Sequence, residues 1–171
     1  MDRCQTPWYA LDPLLEYVPN NWIIWEPAAG ENHIVNKLRL EKYQIIGTDL
    51  LTGENFFDWT PSFTWSCQVT NPPYSVKFDW LKRSYELGKP FALLLPVETV
   101  GAAKAQRLFN QYGIEVVLLD KRVNFKMPNK GYDSGGAQFP TAWFTWGLRI
   151  GRQLTFAKIT RYTDGQRRLA F

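Results

Sequence analysis

The sequence predicts an open α/β fold: a mainly parallel sheet with helices on both faces and an antiparallel hairpin at its C-terminal end. Three observations predict it. Apolar runs of strand length alternate with segments of helical spacing. Several of these runs are apolar without interruption, as strands buried on both faces are. The last two runs follow one another with no helical segment between them, so they lack the crossover that parallel neighbours need.

Each element follows from its own residues. Residues 22–25 (WIIW) are a short buried-strand run that breaks at Pro27 and Gly30. Residues 31–40 have helical spacing, with Ile34, Val35 and Leu38 on the apolar side and Leu40 beside them. Residues 43–47 read as a second strand, ending just before Asp49. Residues 65–69 form a strand that the double proline stops, and residues 76–87 a helix with Phe78, Leu81 and Tyr85 near one face. Residues 91–95 (FALLL) are a fully buried strand halted by Pro96. A helix over 100–112 and strands over 114–119, 141–146 and 154–159 complete the chain. Ligands on such sheets bind at the carboxyl ends of the strands, beside the point where strand order reverses. That rule directs attention to Glu26 through Gly30, to Asp49 and to the residues after Val69.

Composition narrows the class. With 171 residues, 45% hydrophobic and 21% charged, the chain is long enough for one domain with a real core. Disordered, collagen-like and disulfide-scaffold compositions are excluded. No apolar run approaches the ~20 residues of a membrane span. The first residues hold no apolar signal segment, which predicts a cytoplasmic protein with no membrane partner. Cys4 and Cys67 are far apart in sequence, which predicts a reducing compartment and no thiolate metal site. No metal is expected.

The net charge of +4 hides an asymmetry. Residues 1–120 carry 10 Lys and Arg against 14 Asp and Glu; residues 121–171 carry 10 against 2. A basic C-terminal third is an electrostatic footprint for a polyanion, and a solvated basic face has the same composition. The 16% aromatic content suits base stacking and suits a core equally.

The chemistry concentrates in two loops. Asn71-Pro72-Pro73-Tyr74 follows the third strand. Two prolines make a rigid loop there. An amide oxygen and a backbone carbonyl together can accept both hydrogens of an exocyclic amino group. The tyrosine ring adds a stacking surface for a planar substrate. The second loop, Glu26-Pro27-Ala28-Ala29-Gly30, has small residues that let a ligand approach the backbone, ahead of a helix start with unpaired N–H groups. It lacks the dinucleotide-binding glycine fingerprint and a P-loop lysine. Asp49, at the end of the next strand, is well placed for ribose hydroxyls.

On these residues the chain resembles the amino-methyltransferases that use S-adenosylmethionine, most closely the phage-type DNA adenine-N6 methyltransferases. The resemblance covers most of the chain and implies a Rossmann-like methyltransferase fold. Thr6, Pro7 and Trp8 resemble the N-terminal segment that closes over the cofactor. Glu26, Pro27, Ala28, Ala29 and Gly30 match the cofactor glycine loop, Asp49 the ribose-binding acid, and Asp58 the acid that contacts the cofactor's adenine. Asn71, Pro72, Pro73 and Tyr74 match the catalytic tetrad. Arg122-Val123-Asn124-Phe125 resembles the later strand whose aromatic borders a flipped base. The resemblance implies S-adenosylmethionine as cofactor and DNA as partner through the basic segment 121–171. Asn71 and the Pro72 carbonyl would accept the amino hydrogens, and Tyr74 and Phe125 would flank the base. The setting would be a bacterial or phage-infected cell.

Some features depart from the family. Larger relatives carry a target-recognition domain; this sequence predicts a single catalytic domain over 1–171, with short or weak site specificity. The one recognition loop available is 126–140, with Lys126 and Lys130. Cys67 lies before the catalytic loop and reads as a buried structural cysteine, and His33 as a rim residue of the cofactor loop. Other readings stay open: an RNA or protein-glutamine amino-methyltransferase, a cytosine-N4 enzyme, and a non-catalytic nucleic-acid-binding protein on the same fold.

Overall fold

The computed structural model describes residues 3–127, 131–132 and 139–165. A short turn at Trp8–Ala10 leads into α1 (Asp12–Leu15). The chain continues through β1 (Ile23–Glu26), α2 (His33–Leu40), β2 (Gln44–Gly47), β3 (Cys67–Thr70), α3 (Lys77–Glu86) and β4 (Phe91–Pro96). It ends with α4 (Ala103–Tyr112), β5 (Glu115–Leu119), the two-residue strands β6 (Lys126–Met127) and β7 (Gly131–Tyr132), then β8 (Thr141–Trp146) and β9 (Leu154–Ala157).

Seven strands form one sheet in the order β2-β1-β3-β4-β8-β5-β9. The pairs β1–β2, β1–β3, β3–β4 and β5–β9 are parallel. The antiparallel element expected among the closing strands is β8, which runs antiparallel to β4 and β5; β8 and β9 do not pair with each other, because β9 lies parallel beside β5. Strand alternation then builds two cores. Ile24, Ala92 and Leu94 turn to the face covered by Leu14 of α1 and by Val35 and Leu38 of α2. Trp25, Phe91, Leu93 and Leu95 turn to the face covered by Trp80 and Leu81 of α3 and Ala105 of α4. Helices thus cover both faces, as predicted. Among the described residues no helix is long and apolar enough to cross a membrane.

Three expectations change. The segment 122–125 forms no strand; pairing starts at Lys126. The helix predicted from residue 100 begins at Ala103, because a separate short turn occupies Val97–Gly101. The basic segment does not form one surface. Trp146 pairs with Phe91 and Leu154 with Val116, so the loop carrying Arg149 and Arg152 lies at the amino edge of the parallel strands. Leu119 pairs with Ala157, which sets Lys121, Arg122, Lys158 and Arg161 beyond the carboxyl edge. Lys130, Arg167 and Arg168 lie outside the described residues.

Candidate active site

Strand order reverses at β1, whose neighbours are β2 and β3. The crevice beyond their carboxyl ends is where such sheets hold ligands. Glu26 closes β1 and is fully buried. Its Oε1 accepts the Ala28 N–H at 2.9 Å. Burial pushes its carboxyl up to about 8, against the opposing pull of the Thr70 hydroxyl and the Ala28 N–H, with the Asp49 charge adding to the rise. The loop then turns through Gly30 at φ 50° and Asn32 at φ 64°. Gly30 donates its N–H to Asp49 Oδ2 at 2.9 Å. A Cβ at Gly30 would stand 2.6 Å from Gln5 Nε2, so glycine serves both the backbone angle and the close approach. Asp49 Oδ1 accepts from Leu51 N at 2.9 Å and caps the short turn Leu50–Thr52.

Beyond β3 the backbone leaves the sheet at Asn71. Pro72 is buried, and Pro73, at φ −61° and ψ 122°, feeds the turn Tyr74–Val76 that starts α3. Asn71 Nδ2 points at the Cys4 carbonyl at 3.5 Å, and Asn71 Oδ1 is buried with no hydrogen-bond partner among the described residues. The Tyr74 hydroxyl is likewise buried and without a partner among the described residues, and burial pushes its phenol well above the usual range. The Tyr74 ring meets Phe139, centroids 5.8 Å apart and planes tilted by 57°.

The N-terminal segment crosses this edge. Thr6 and Pro7 are buried. Trp8 donates its Nε1–H to His33 O at 3.0 Å and its backbone N–H to Asp164 Oδ1 at 2.9 Å. His33 Nδ1 lies 3.3 Å from Asp164 Oδ2, at the start of α2 just after the Glu26–Gly30 loop. Gln5 exchanges both backbone hydrogen bonds with Lys126, at 2.9 and 3.0 Å.

Buried polar atoms without partners are rare in folded proteins and call for an explanation. Among the described residues Asn71 Oδ1, Thr99 Oγ1, Thr141 Oγ1 and Thr6 Oγ1 are such atoms, and all lie at or just beyond the carboxyl edge or on the segment that crosses it.

The structure brings Thr6, Pro7, Trp8, the Glu26–Gly30 loop, Asp49 and Asn71 through Tyr74 to one edge. Asp58 is exposed in the turn after Phe57, where its Oδ2 accepts from Asn55 Nδ2 at 3.1 Å. Lys126 Nζ stands 3.8 Å from Glu31 Oε2. Phe125 is a correction. It is 4% exposed and belongs to the core on the α2 face, whereas Tyr74 packs against the core on the α3 face. A ring so covered presents no face to a base. The ring that does meet Tyr74 is Phe139, which carried no signal beyond its place after a glycine-rich loop. Gln5 and the Cys4 carbonyl were also invisible in the sequence, because their contacts span long stretches of chain. Cys67 is fully buried, with its thiol pushed up to about 12 by burial, as a structural cysteine should be. Among the described residues no three His, Cys, Asp or Glu group where they could hold a metal ion.

No protein-family model matches the sequence, and no curated protein does. Solved structures do share the fold. The methyltransferase subunit of a type I restriction-modification system from Streptococcus thermophilus superposes with TM-score 0.55 at 14% identity, over 88% of this chain and 45% of its own. A modification subunit assigned to a type I restriction enzyme of Vibrio vulnificus gives 0.53 at 13% identity, over 95% and 48%. A Listeria monocytogenes protein assigned to the class I S-adenosylmethionine-dependent methyltransferases gives 0.58 at 13% identity, over 92% and 66%. The chain thus spans about half the length of the two restriction-modification subunits. At these identities the likeness establishes a methyltransferase-type fold.

Proposed function

We propose that the chain transfers methyl groups from S-adenosylmethionine to the exocyclic N6 amino group of adenine in DNA. The observation that carries this reading is Asn71 Oδ1: a buried amide oxygen with no partner among the described residues, at the end of β3, one strand from the Glu26–Gly30 loop. The shared fold supports methyl transfer. The two restriction-modification subunits among the structures of that fold support DNA as the substrate.

The residues present fit the cofactor. Asp49 uses two hydrogen bonds, on Gly30 N and Leu51 N, and a carboxylate accepts about four. Thr6 Oγ1 is a buried polar atom with no hydrogen-bond partner among the described residues, and Glu26 stands buried at the start of the same loop. Leu50 and Leu51, exposed directly after Asp49, offer apolar surface for a purine ring. Asp58 is the acid for its amino group. When bound, S-adenosylmethionine supplies an activated methyl group on a sulfonium centre.

The chain's own residues do the positioning. Asn71 Oδ1 and the Pro72 carbonyl accept the two amino hydrogens of the target base. The nitrogen's electron pair is then the one direction left unheld, and electron density moves onto that nitrogen. Tyr74 stacks on the ring. Held orientation of this kind supplies much of an enzyme's rate. A base in a duplex must flip out to reach this loop. Lys121, Arg122, Lys158 and Arg161 hold phosphates, with Lys126 nearer the cleft; Lys130 is assigned the same task on its sequence alone. β5 stands three places from β3, or about 14 Å at the usual strand spacing, within the width of a duplex.

Labelled cofactor incubated with DNA, RNA and protein, followed by nucleoside and amino-acid analysis, tests the reading. N6-methyladenine in DNA is the expected product. Label in RNA or on glutamine would replace the substrate, and cofactor binding with no transfer anywhere would make the chain a binding protein.

A further inference from the structure

An asparagine amide can sit in either of two orientations related by a half-turn, and only one of them points the oxygen at a substrate. In this chain the Cys4 carbonyl decides between them. Asn71 Nδ2 faces Cys4 O at 3.5 Å. The opposite orientation would set two oxygens against each other, so Oδ1 turns the other way, where it is buried without a partner among the described residues.

The peptide that carries Cys4 O is held by Gln5 in two ways, through its backbone and through its side chain. Gln5 N donates to Lys126 O at 2.9 Å and Gln5 O accepts from Lys126 N at 3.0 Å. The Gln5 side chain then reaches the cofactor loop. Its Oε1 accepts the Glu31 N–H at 3.1 Å, and its amide covers Gly30 so closely that a Cβ there would stand 2.6 Å from Nε2. One residue therefore touches the glycine loop with its side chain, pairs with the segment after β5 through its backbone, and carries next to it the carbonyl that orients Asn71.

We propose that Gln5 is a positioning residue, which couples the order of the Gly30–Glu31 loop to the orientation of the Asn71 amide. This inference rests on the methyltransferase reading of Asn71. Gln5 touches neither transferred methyl group nor target nitrogen; it acts through Cys4 O. With the cofactor loop held, the amide oxygen faces the amino group. Without the Gln5 side chain on that loop, the amide turns between its two orientations.

Gln5→Ala and Gln5→Glu test it in the full chain, since glutamate keeps an acceptor for the Glu31 N–H. Steady-state methylation is read beside the side-chain amide NMR signals of Asn71. Gln5→Ala should lower kcat about 10-fold, because small misplacements at a reacting centre cost that much or more, while KM for DNA stays within about 2-fold. Its Asn71 amide signals should move, and its Tm should fall by less than about 4 °C. Gln5→Glu should recover most of kcat and the wild-type signals. An unchanged kcat in Gln5→Ala, or a loss of kcat with the Asn71 signals unmoved, overturns the proposal. If the wild-type chain methylates nothing, the methyltransferase reading fails by itself. The NMR comparison still decides the role of Gln5: signals that move in Gln5→Ala support it and signals that stay overturn it.

Discussion

Asp49 Oδ2 accepts the Gly30 N–H at 2.9 Å and thereby ties the loop after β2 to the loop after β1. The same carboxylate caps the turn that follows it through Leu51 N at 2.9 Å. Asp49→Ala should therefore cost about 1 kcal/mol of stability, the ordinary worth of a cap, and weaken S-adenosylmethionine binding at least about 10-fold. Urea unfolding and calorimetric titration separate the two effects. Asp49→Asn, which keeps one acceptor, should fall between them.

Glu26 makes stability depend on pH. Its carboxyl ionises near 4.5 as an ordinary group and near 8 in the fold, because burial opposes the charge. Between those values the folded chain holds a proton that the unfolded chain has released. Stability therefore falls as pH rises from about 4.5 to about 8, by at most about 1.4 kcal/mol per pH unit for this group, and levels off above. Glu26→Gln should flatten that decline, which urea midpoints measured from pH 5 to pH 9 would reveal.

Phe125 and Phe139 should behave differently. Phe125→Ala empties a place in the core and should destabilise the fold by about 3–5 kcal/mol. Phe139→Ala, which removes the ring beside Tyr74, should leave stability within about 1 kcal/mol and raise KM for the target DNA several-fold. Thermal melts and steady-state kinetics on the two variants check this pair of outcomes.

The division of the basic segment predicts a contrast in salt dependence. Arg122→Glu with Lys158→Glu, at the carboxyl edge, should weaken DNA binding and lower the slope of log Kd against log salt by roughly 1 for each phosphate no longer held. Arg149→Glu with Arg152→Glu, at the amino edge, should leave that slope unchanged. Fluorescence anisotropy across a salt series makes the comparison.

How far the sequence was legible follows from the range of each interaction. β4 was clear because its apolar run is continuous and ends at a proline. The Glu26–Gly30 and Asn71–Tyr74 loops were clear because proline and small residues constrain the backbone locally. α1 was missed because four residues are too few to show a helical period. The place of β8 between β4 and β5 lay beyond local pattern, since it depends on pairing between distant segments. That pairing is what sends Arg149 and Arg152 away from the cleft. Phe125 was misread because an aromatic near a cleft and an aromatic beneath it have the same local sequence.

Methyl transfer depends most on Asn71 as the acceptor for a target amino group. The direct measurement is the yield of N6-methyladenine from wild-type chain and Asn71→Ala, read against calorimetric cofactor binding by both. Wild-type chain should produce N6-methyladenine in DNA; Asn71→Ala should lose about 10²–10³-fold of that rate while binding S-adenosylmethionine nearly as well. Undiminished transfer by Asn71→Ala, or equal loss of transfer and cofactor binding, would contradict the role assigned to Asn71.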